Sequence, residues 1–457
     1  MKMNNVIFRE YDIRGVVDSD FDADFAHHLG RAYITYLFQE KGLKNPKICI
    51  GHDARLSSPQ LVKSLSRGMA ESGAQVLLLG LVTTPVTYFS TFSVPDVAGA
   101  IMVTGSHNPP EYNGFKISVG KSTIFGAEIK KLETIINSGD YVSGDGSEST
   151  YDIFPEYVAR YEREFGKLPK VPVVVDCGNG AAGSILRRLY SAVGVSPTIL
   201  FEEPDGTFPN HHPDPTVEEN LTDLVAAVKK ENALIGIGFD GDADRIGVVG
   251  RNGRMFYGDE LMALVSRDIL KDKPGEKIIG DVKCSDRLYH DVAKYGGKPI
   301  MWKTGHSLIK EKIKVEKAPF GGELSGHIFF ADRNYGFDDA LYAGLRIIEI
   351  LGKTGKSIED LLADFPPAFN TPEIRIDTTE EKKHQIVDKL KESFASEKPG
   401  ISVNLIDGIR VSYPFGWALA RASNTQPVLV LRFEADSQEH LNQIKKEFED
   451  IVQPLLK

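Results

Sequence analysis

Cysteine is scarce in this sequence of 457 residues, and its three cysteines, Cys49, Cys177 and Cys284, form no CxxC pair. A small, odd number of scattered cysteines argues against a fold stapled by disulfides and is typical of a reducing compartment. No run approaches the roughly 18 apolar residues that a membrane-spanning helix needs. The first residues, MKMNNVIFREYDIRG, also lack the apolar segment of a signal peptide. We therefore expect a soluble, cytoplasmic protein.

Positive charge is in deficit, since 54 Lys and Arg face 64 Asp and Glu, for a net charge of −10. Such a chain has no overall basic footprint for nucleic acid, and an anionic substrate would have to be attracted by a local cluster of cations. We expect neither a nucleic acid nor a membrane as partner. With 41% hydrophobic and 26% charged residues, the composition is that of an ordinary globular protein, and at roughly 150 residues per domain the length predicts three or four domains.

Short β-branched runs alternate with amphipathic helical stretches through most of the chain, which predicts an α/β fold. Three units look alike, because in each an apolar strand ends in an acid and a helical stretch follows. These acids are Asp53, Asp176 and Asp281. Each unit continues to a second strand that runs into a polar turn, and the turns begin at Thr104, Asp240 and Glu323. We infer a threefold repeat of one α/β unit.

Segments rich in Gly, Ser or Pro indicate where one domain ends and the next begins. Residues 139–150 are rich in Gly and Ser and lack a core pattern, so they are interpreted as a linker. A turn near 250–260 and the segment DFPPAF at 364–369 mark two more boundaries. Beyond them, two helical patterns bracket short strands, which predicts a smaller α+β domain. The predicted domains are residues 1–150, 151–253, 254–367 and 368–457.

The turn TGSHNP at 104–109 follows an apolar strand, where loops of α/β proteins face the ligand crevice. Ser106 displays a hydroxyl there beside the imidazole of His107, which suits a covalent group carrier. The same residues are common in ordinary turns, so the motif alone does not decide.

The turn DGDADR carries three carboxylates at alternate positions, Asp240, Asp242 and Asp244. Hard oxygen ligands of this kind suit Mg²⁺ and leave positions free for a phosphate oxygen. A calcium EF-hand loop is excluded, because Arg245 stands at its required sixth-position glycine and Arg251 at its twelfth-position glutamate. A metal site is therefore favoured over a solvated acidic turn.

Two further turns carry binding chemistry. Glu323 and Ser325, in GGELSGH, can hydrogen-bond vicinal sugar hydroxyls, although a polar hairpin turn has the same composition. Arg421, in RASNT at 421–425, precedes three small donors, which together suit a phosphate. The alternative there is a plain turn beside an arginine that pairs with a carboxylate.

Two glycine-rich segments suggest other functions. GKTGKS at 352–357 resembles a phosphate-binding P-loop, but Ile350 stands where the first glycine is required. GNGAAG at 178–183 follows a strand, opens a helix and is followed by Glu202 and Glu203, so it satisfies most of the dinucleotide fingerprint. An NAD-dependent dehydrogenase is thus the alternative from pattern alone. Against it, an Asp-Cys pair separates the strand from the glycines, and the strand–Asp design recurs twice without glycines.

Taken together, the motifs resemble those of the α-D-phosphohexomutase superfamily, in its bacterial phosphomannomutase/phosphoglucomutase branch. The resemblance spans the chain through FREYDIRG, TGSHNPPEYNGFKI, DGDADR, KTGHSLIK, GGELSGH and RASNTQPVLVLRFEA. It implies four domains around a central cleft, in chain order a phosphoserine, a metal-binding, a sugar-binding and a phosphate-binding domain. The first three share one mixed-sheet α/β topology.

The resemblance also implies the activity: reversible interconversion of hexose 1-phosphate and hexose 6-phosphate, for mannose and glucose. The reaction would proceed through a phosphoserine enzyme and a hexose 1,6-bisphosphate, with Mg²⁺ as cofactor and the bisphosphate as activator. The partners would be small phosphosugars, and the protein a monomer or a dimer. A catalytically idle phosphosugar-binding regulator on the same scaffold is a third hypothesis.

The residue roles that the resemblance implies begin with Ser106, which would carry the phosphoryl group. The metal ligands would be Ser106, Asp240, Asp242 and Asp244. The transferring phosphoryl group would be stabilised by Arg14, Lys116 and Arg245, and the candidates for proton transfer would be Lys116 and His107.

On the substrate side, the resemblance implies that Glu323 and Ser325 bind the sugar O3 and O4. The sugar side of the cleft would be lined by Lys283, His306 and His327. The other phosphate would be bound by Arg421, Ser423, Asn424 and Thr425, and Tyr11 would close the entrance. Two positions depart from the pattern: Leu324 stands where methionine is usual, and Ala243 where glycine is common.

Overall fold

Four β-sheets, each with its own helices, follow one another along the chain. The structure is a computed structural model that describes residues 1–396, 399–423 and 427–456. Among the helices described, none is both long and apolar enough to cross a membrane. The three cysteines are buried and free.

The first sheet is mixed. Its strands are β1 (Ile13–Val16), β2 (Lys47–His52), β3 (Gln75–Leu81), β4 (Val97–Val103), β5 (Tyr112–Val119), β6 (Ser122–Thr123) and β7 (Ser147–Thr150). Its helices are α1 (Ala23–Lys41), α2 (Ser58–Glu71), α3 (Thr84–Ser93) and α4 (Ala127–Ser138). The strand order is β1-β5-β4-β2-β3-β7, in which β4, β2, β3 and β7 are parallel and β5 is antiparallel to its neighbours.

The second sheet has the order β12-β11-β10-β8-β9. Its strands are β8 (Val173–Asp176), β9 (Thr198–Leu200), β10 (Ile235–Phe239), β11 (Ile246–Gly250) and β12 (Met255–Phe256). The helices of this region are α5 (Phe154–Phe165), α6 (Leu186–Ala192) and α7 (Thr222–Lys230). Strands β9, β8 and β10 are parallel, whereas β11 and β12 are antiparallel to their neighbours.

The third sheet has the order β14-β13-β15-β16. Its strands are β13 (Lys277–Asp281), β14 (Lys298–Trp302), β15 (Phe320–Gly322) and β16 (Ile328–Phe330). The helices of this region are α8 (Gly258–Asp272), α9 (Asp286–Lys294), α10 (His306–Glu316), α11 (Ala340–Thr354) and α12 (Ile358–Leu361). The first three strands are parallel and β16 is antiparallel to β15.

The repeat predicted from the sequence is confirmed by these three sheets. In each, a first strand (β2, β8 or β13) lies between a second (β3, β9 or β14) and a third (β4, β10 or β15), both parallel to it. A fourth strand (β5, β11 or β16) then reverses direction beside the third. The turns with the chemical motifs connect the third strand to the fourth, so all three leave the same end of equivalent strands.

The fourth sheet is antiparallel throughout, which confirms the predicted α+β character of the last region. Its strands are β17 (Phe369–Asn370), β18 (Ile374–Asp377), β19 (Ser402–Asn404), β20 (Ile409–Tyr413), β21 (Gly416–Ala422) and β22 (Val428–Ala435). Its helices are α13 (Glu380–Ser393) and α14 (Gln438–Leu456).

The apolar core explains how the regions hold together. One cluster of buried side chains runs through the first three sheets and includes Cys49, Val175 and Phe320. The fourth region has a core of its own and meets the third through a small apolar cluster of Val282, Trp417 and Leu419 and through polar contacts. There the buried guanidinium of Arg410 lies 3.7 Å from the Trp417 ring centroid and donates to the carbonyl of Cys284 at 2.9 Å. The last region therefore has its own main core and joins the third region through a mixed apolar and polar interface.

One expectation was wrong in part. Residues 147–150, interpreted as linker, form β7 at the edge of the first sheet, parallel to β3. All four side chains of this strand are exposed, so the alternation of apolar and polar residues that marks a half-buried strand is missing. The sequence offered no signal for it.

Candidate active site

The ends of the equivalent strands surround a cleft of about 810 Å³ that all four regions line. The structure brings most of the predicted site residues to this one place. Asp240, Asp242 and Asp244 do not line the cleft itself, because they are fully buried beside Ser106 and Lys116. The predicted residues that line it are Tyr11, Arg14, Ser106, His107, Lys116, Arg245, Lys283, His306, Glu323, Ser325, His327, Arg421 and Ser423. Asn424 and Thr425, predicted to bind phosphate, lie outside the described residues.

Ser106 lies at the bottom of the cleft in a strained turn. Its φ angle is +52°, in the left-handed region that side chains other than glycine rarely adopt, and such outliers persist where the surrounding structure holds them. Here Asp53, directly after β2, accepts hydrogen bonds from the Thr104 hydroxyl at 2.8 Å and the Gly105 amide at 3.2 Å. Arg55 donates to the Ser106 carbonyl at 2.8 Å. Asp53, the strand-end acid of the first repeat, thus holds the turn in place.

The Ser106 hydroxyl is 2% exposed and faces two possible proton acceptors. Its Oγ lies 3.2 Å from Nδ1 of His107 and 3.1 Å from Oδ2 of Asp240. Burial, together with Arg245 and Arg14, lowers the pKa of His107 well below its usual range. A neutral imidazole beside a buried hydroxyl can take up a proton.

The three acids of DGDADR are fully buried, and their carboxylate oxygens lie within 4.8 Å of one another. Burial, with Asp242 and Asp244 as neighbours, raises the pKa of Asp240 well above its usual range. Among the described residues, Oδ1 of Asp242 and Oδ1 of Asp244 have no hydrogen-bond partner. Orphaned buried carboxylate oxygens are costly, and a hard cation would satisfy them. The site therefore fits a divalent metal ion.

Lys116, on β5, is the cation already present at these acids. Its Nζ lies 2.7 Å from Oδ2 of Asp242 and also contacts Oδ2 of Asp244. Burial opposes its charge, but the two carboxylates outweigh that effect and raise the pKa of Lys116 above its usual range. Lys116 is therefore an ammonium in this arrangement.

Two arginines lie at the same end of the cleft. Arg14, on β1, donates to Oδ1 of Asn108 at 3.1 Å and to Oδ2 of Asp12 at 2.5 Å. Arg245 follows the acidic turn, and its Nε–H donates to Nε2 of His327 at 3.0 Å. Both side chains are thus held by neutral or anionic partners before any ligand arrives.

The opposite wall is built by the third region. Glu323 is 2% exposed, its Oε1 accepts from the Gly305 amide, and burial raises its pKa. Ser325 donates to Oε2 of Glu323 at 3.4 Å. Nζ of Lys283 lies 3.3 Å from Oε2 of Glu373. A carboxyl, a hydroxyl and an ammonium therefore line one side of the cleft.

The entrance is crossed by contacts between the first, third and fourth regions. The Tyr11 hydroxyl donates to the Thr304 carbonyl at 2.7 Å, and the Thr304 amide donates to Asp407 at 3.1 Å. Asp407 also accepts from Nε of Arg421 at 3.1 Å. Nη2 of Arg421 is buried without a hydrogen-bond partner in the described part of the chain, so this arginine retains a donor for an anion.

Sequence reasoning missed several cleft residues. Those that carry charge or an imidazole are Arg9, Asp12, His212, Asp214, Glu218, Glu219, Glu373, Arg375 and Arg432. Arg9 and Asp12 lie within FREYDIRG and Arg432 lies within RASNTQPVLVLRFEA, but no role was predicted for them. The others stand outside the motifs, and only the fold brings them to the cleft.

The alternative functions find structural explanations. A Cβ on Gly180 would lie 2.8 Å from the carbonyl of Gly241, and one on Gly183 would lie 1.7 Å from the carbonyl of Glu202. Gly180 and Gly183 are therefore needed for close backbone packing. In GKTGKS, Gly355 ends α11 with φ +65°, as glycines commonly do at helix C-termini.

Each of the four regions matches a known domain family. The families are described as phosphoglucomutase/phosphomannomutase alpha/beta/alpha domain I over residues 5–143, domain II over 155–253, domain III over 257–369 and C-terminal domain over 373–451.

Individual relatives agree with the domain families. The chain is 47% identical to a phosphomannomutase/phosphoglucomutase of Pseudomonas aeruginosa, over 97% of this chain and 94% of the relative. It is 43% identical to a phosphoglucomutase of Neisseria gonorrhoeae, over 98% and 96%. A crystal structure of a phosphoglucomutase/phosphomannomutase family protein from Burkholderia thailandensis superposes with a TM-score of 0.92 at 43% identity, covering 99% of this chain and 98% of that one. The chain belongs to the phosphoglucomutase/phosphomannomutase family.

Proposed function

We propose that the protein interconverts hexose 1-phosphates and hexose 6-phosphates, with mannose and glucose as the sugars. The observation that carries this proposal is the buried Ser106 hydroxyl, 3.1 Å from a set of buried acids and 3.2 Å from a neutral imidazole. The names of the relatives support the same reaction. All four regions of one chain line the cleft, which supports a reaction carried out by a single copy. We place it in the cytoplasm, where free cysteines stay reduced.

In the proposed reaction, Ser106 carries a phosphoryl group. The phosphorus–oxygen bond to Ser106 breaks as phosphorus bonds to the free hydroxyl of a hexose monophosphate, whose proton passes to a base such as His107. The resulting hexose 1,6-bisphosphate turns within the cleft and returns its other phosphoryl group to Ser106. Catalysis of this kind depends on positioning and on neutralising charge.

The charged residues divide this work. Arg14, Arg245 and Lys116 neutralise the transferring phosphoryl group, and Lys116, being charged, stabilises it rather than acting as the base. Ser106 and the acids Asp240, Asp242 and Asp244 would hold Mg²⁺. When bound, Mg²⁺ would supply Lewis-acid stabilisation of the developing charge on the phosphoryl oxygens.

On the other wall, Glu323 and Ser325 would bind the sugar O3 and O4, beside Lys283, His306 and His327. Mannose and glucose differ at C2, so contacts to O3 and O4 would hardly discriminate them, and both orientations of the bisphosphate can present these hydroxyls. Arg421 and Ser423 would hold the phosphate that is not transferred, with Asn424 and Thr425 beside them in sequence. Tyr11 would close the entrance over the substrate.

The test is ³¹P NMR of mannose 1-phosphate and glucose 1-phosphate, each with the protein, Mg²⁺ and a trace of glucose 1,6-bisphosphate. We expect both to become 6-phosphates. Ser106→Ala should lower turnover by at least about a thousandfold, because the group carrier is lost, while phosphosugar binding persists.

Ser122→Ala is the matched control, since it removes an exposed hydroxyl from β6 in the same region and should leave turnover unchanged. Conversion by Ser106→Ala at the wild-type rate would exclude the phosphoserine route. Binding without conversion by the wild type would instead indicate a phosphosugar-binding regulator.

A further inference from the structure

A buried carboxylate that no motif indicated lies behind the cleft. Asp338, just before α11, is fully buried, and its Oδ1 lies 3.1 Å from Nζ of Lys310. Its Oδ2 lies 3.0 Å from Nδ1 of His327 and 3.7 Å from Nδ1 of His306. Burial alone would raise the pKa of Asp338, but Lys310 and the two histidines hold it well below its usual range. Asp338 is therefore a charged group in direct contact with a cleft imidazole.

The surroundings of His327 determine which ring nitrogen carries the proton. Nε2 faces the Nε–H of Arg245 at 3.0 Å, and because an arginine N–H is always a donor, Nε2 must accept. Nδ1 faces oxygen atoms: the carbonyl of Asp244 at 3.1 Å, Oδ2 of Asp338 at 3.0 Å and Oδ1 of Asp244 at 3.6 Å. The hydrogen bond of Nδ1–H goes to the Asp244 carbonyl. Oδ2 of Asp338 has no hydrogen-bond partner among the described residues, so it stabilises the same proton through its charge at 3.0 Å. Both sides of the ring therefore favour the Nδ1–H tautomer.

The same argument rejects a second metal ion here. Asp244, His327 and Asp338 offer ligand atoms within 4.8 Å of one another. Coordination through Nδ1 would force the proton onto Nε2, where it would meet the Nε–H of Arg245 at 3.0 Å. The contact with Arg245 is therefore incompatible with a metal on this histidine.

We propose that Asp338 is a positioning residue, whose charge holds His327 in the Nδ1–H tautomer so that Nε2 accepts from Arg245 and fixes that guanidinium in the cleft. The effect on catalysis rests on the proposed function, in which Arg245 neutralises the transferring phosphoryl group. The tautomer itself does not depend on it. A ring nitrogen's tautomer is commonly set by the partner of the other nitrogen.

Asp338→Asn separates this role from simple charge pairing with Lys310. Lys310 can only donate, so it retains the single amide oxygen of asparagine. The amide NH₂ then faces Nδ1 of His327, where it favours the Nε2–H tautomer that collides with Arg245. Replacing Lys310 with methionine as well frees the asparagine to turn its oxygen towards His327.

The experiment combines long-range ¹H–¹⁵N NMR of histidine-labelled protein with steady-state kinetics. In the wild type we expect the His327 Nδ1 resonance at the protonated position and Nε2 at the unprotonated one. In Asp338→Asn the pattern should reverse and kcat should fall about ten- to hundredfold, with KM changed less. Asp338→Asn/Lys310→Met should restore the wild-type tautomer and recover most of kcat.

Asp339→Asn is the matched control, because Asp339 is the adjacent buried carboxylate but its Oδ2 accepts from the hydroxyls of Tyr157 and Tyr161. It should leave the His327 tautomer and kcat as in the wild type. An Nε2–H tautomer in the wild type would overturn the proposal, and so would an unchanged tautomer or unchanged kcat in folded Asp338→Asn. Should that variant not fold, the wild-type spectrum and the double variant still decide. A wild type without mutase activity but with the Nδ1–H tautomer refutes the proposed function alone.

Discussion

The buried carboxyl of Asp339 makes the stability of the protein depend on pH in a direction opposite to that of most acids. Asp339 is 1% exposed, and burial raises its pKa from 3.8 to about 6, against the opposing hydrogen bonds from Tyr161, the Tyr342 amide and Tyr157. In the unfolded chain the carboxyl has its ordinary pKa. The folded state therefore binds the proton more tightly than the unfolded state.

The sign follows from this difference in proton binding. The stabilisation from protonated Asp339 is fully present below pH 4, where both states are protonated, and is lost as the pH rises through the folded pKa of about 6. With these two pKa values, linkage gives a contribution that is larger at pH 5 than at pH 7 by about 1.3 kcal/mol. Asp339→Asn should abolish this pH-dependent contribution to the free energy of unfolding, because asparagine does not titrate. It should still fold, since asparagine caps a helix as well as aspartate does.

The assay is urea unfolding of wild type and Asp339→Asn at about pH 5 and pH 7, followed by circular dichroism. All other titrating groups are common to both proteins, so the difference between their pH effects isolates residue 339. Asp96→Asn replaces an exposed carboxyl and should retain the wild-type pH difference. If the free energy of unfolding changes equally between the two pH values in wild type and Asp339→Asn, burial does not raise the pKa of this carboxyl and the reasoning is refuted.

Two further predictions concern the cleft. Arg421→Met retains the apolar stem of the side chain but removes the donors that face an anion. In steady-state kinetics, KM for the phosphosugars should rise about thirtyfold, equivalent to about 2 kcal/mol for a charge-assisted contact, with a smaller change in kcat. An unchanged KM would contradict the phosphate-binding role. Ala243 has φ +58°, where glycine is favoured, so in urea unfolding Ala243→Gly should be neutral or stabilise by up to about 1 kcal/mol. Ala343→Gly, inside α11, should by contrast destabilise by about 1 kcal/mol, and an equal loss in both variants would refute the strain at residue 243.

Much of the fold could be predicted because local sequence patterns indicate its strands and helices. Apolar strands that end in Asp53, Asp176 and Asp281 indicated the repeat, and the side chains of Asp53 and Asp281 accept hydrogen bonds from the chemical turns of their own repeats. Strand β7 was not predicted, because all its side chains are exposed and the sequence therefore shows no alternation of apolar and polar residues. The departure at Ala243 was visible in the sequence, but its left-handed backbone was not.

The site was predictable where a short segment holds several of its groups, as around Ser106 and in DGDADR. Pairings across the fold were not, since no local pattern links Lys116 to the acids that it contacts from another region. Asp338 lies in an ordinary-looking turn, and its contacts with His327 and Lys310 arise only from tertiary packing. Glu373 and Arg375 likewise reach the cleft from a segment without a motif.

The reversal between the third and fourth strand of each repeat has a consequence for how this protein can be changed. The three connecting loops span residues 104–111, 240–245 and 323–327, and each begins and ends on neighbouring antiparallel strands, so its ends are fixed by the sheet whatever its length. Each loop can therefore be replaced without moving the two strands that it connects. Grafting a different loop into the third repeat alone should alter which sugar is bound, while the other two loops keep their chemistry. The architecture is therefore well suited to redesigning substrate specificity.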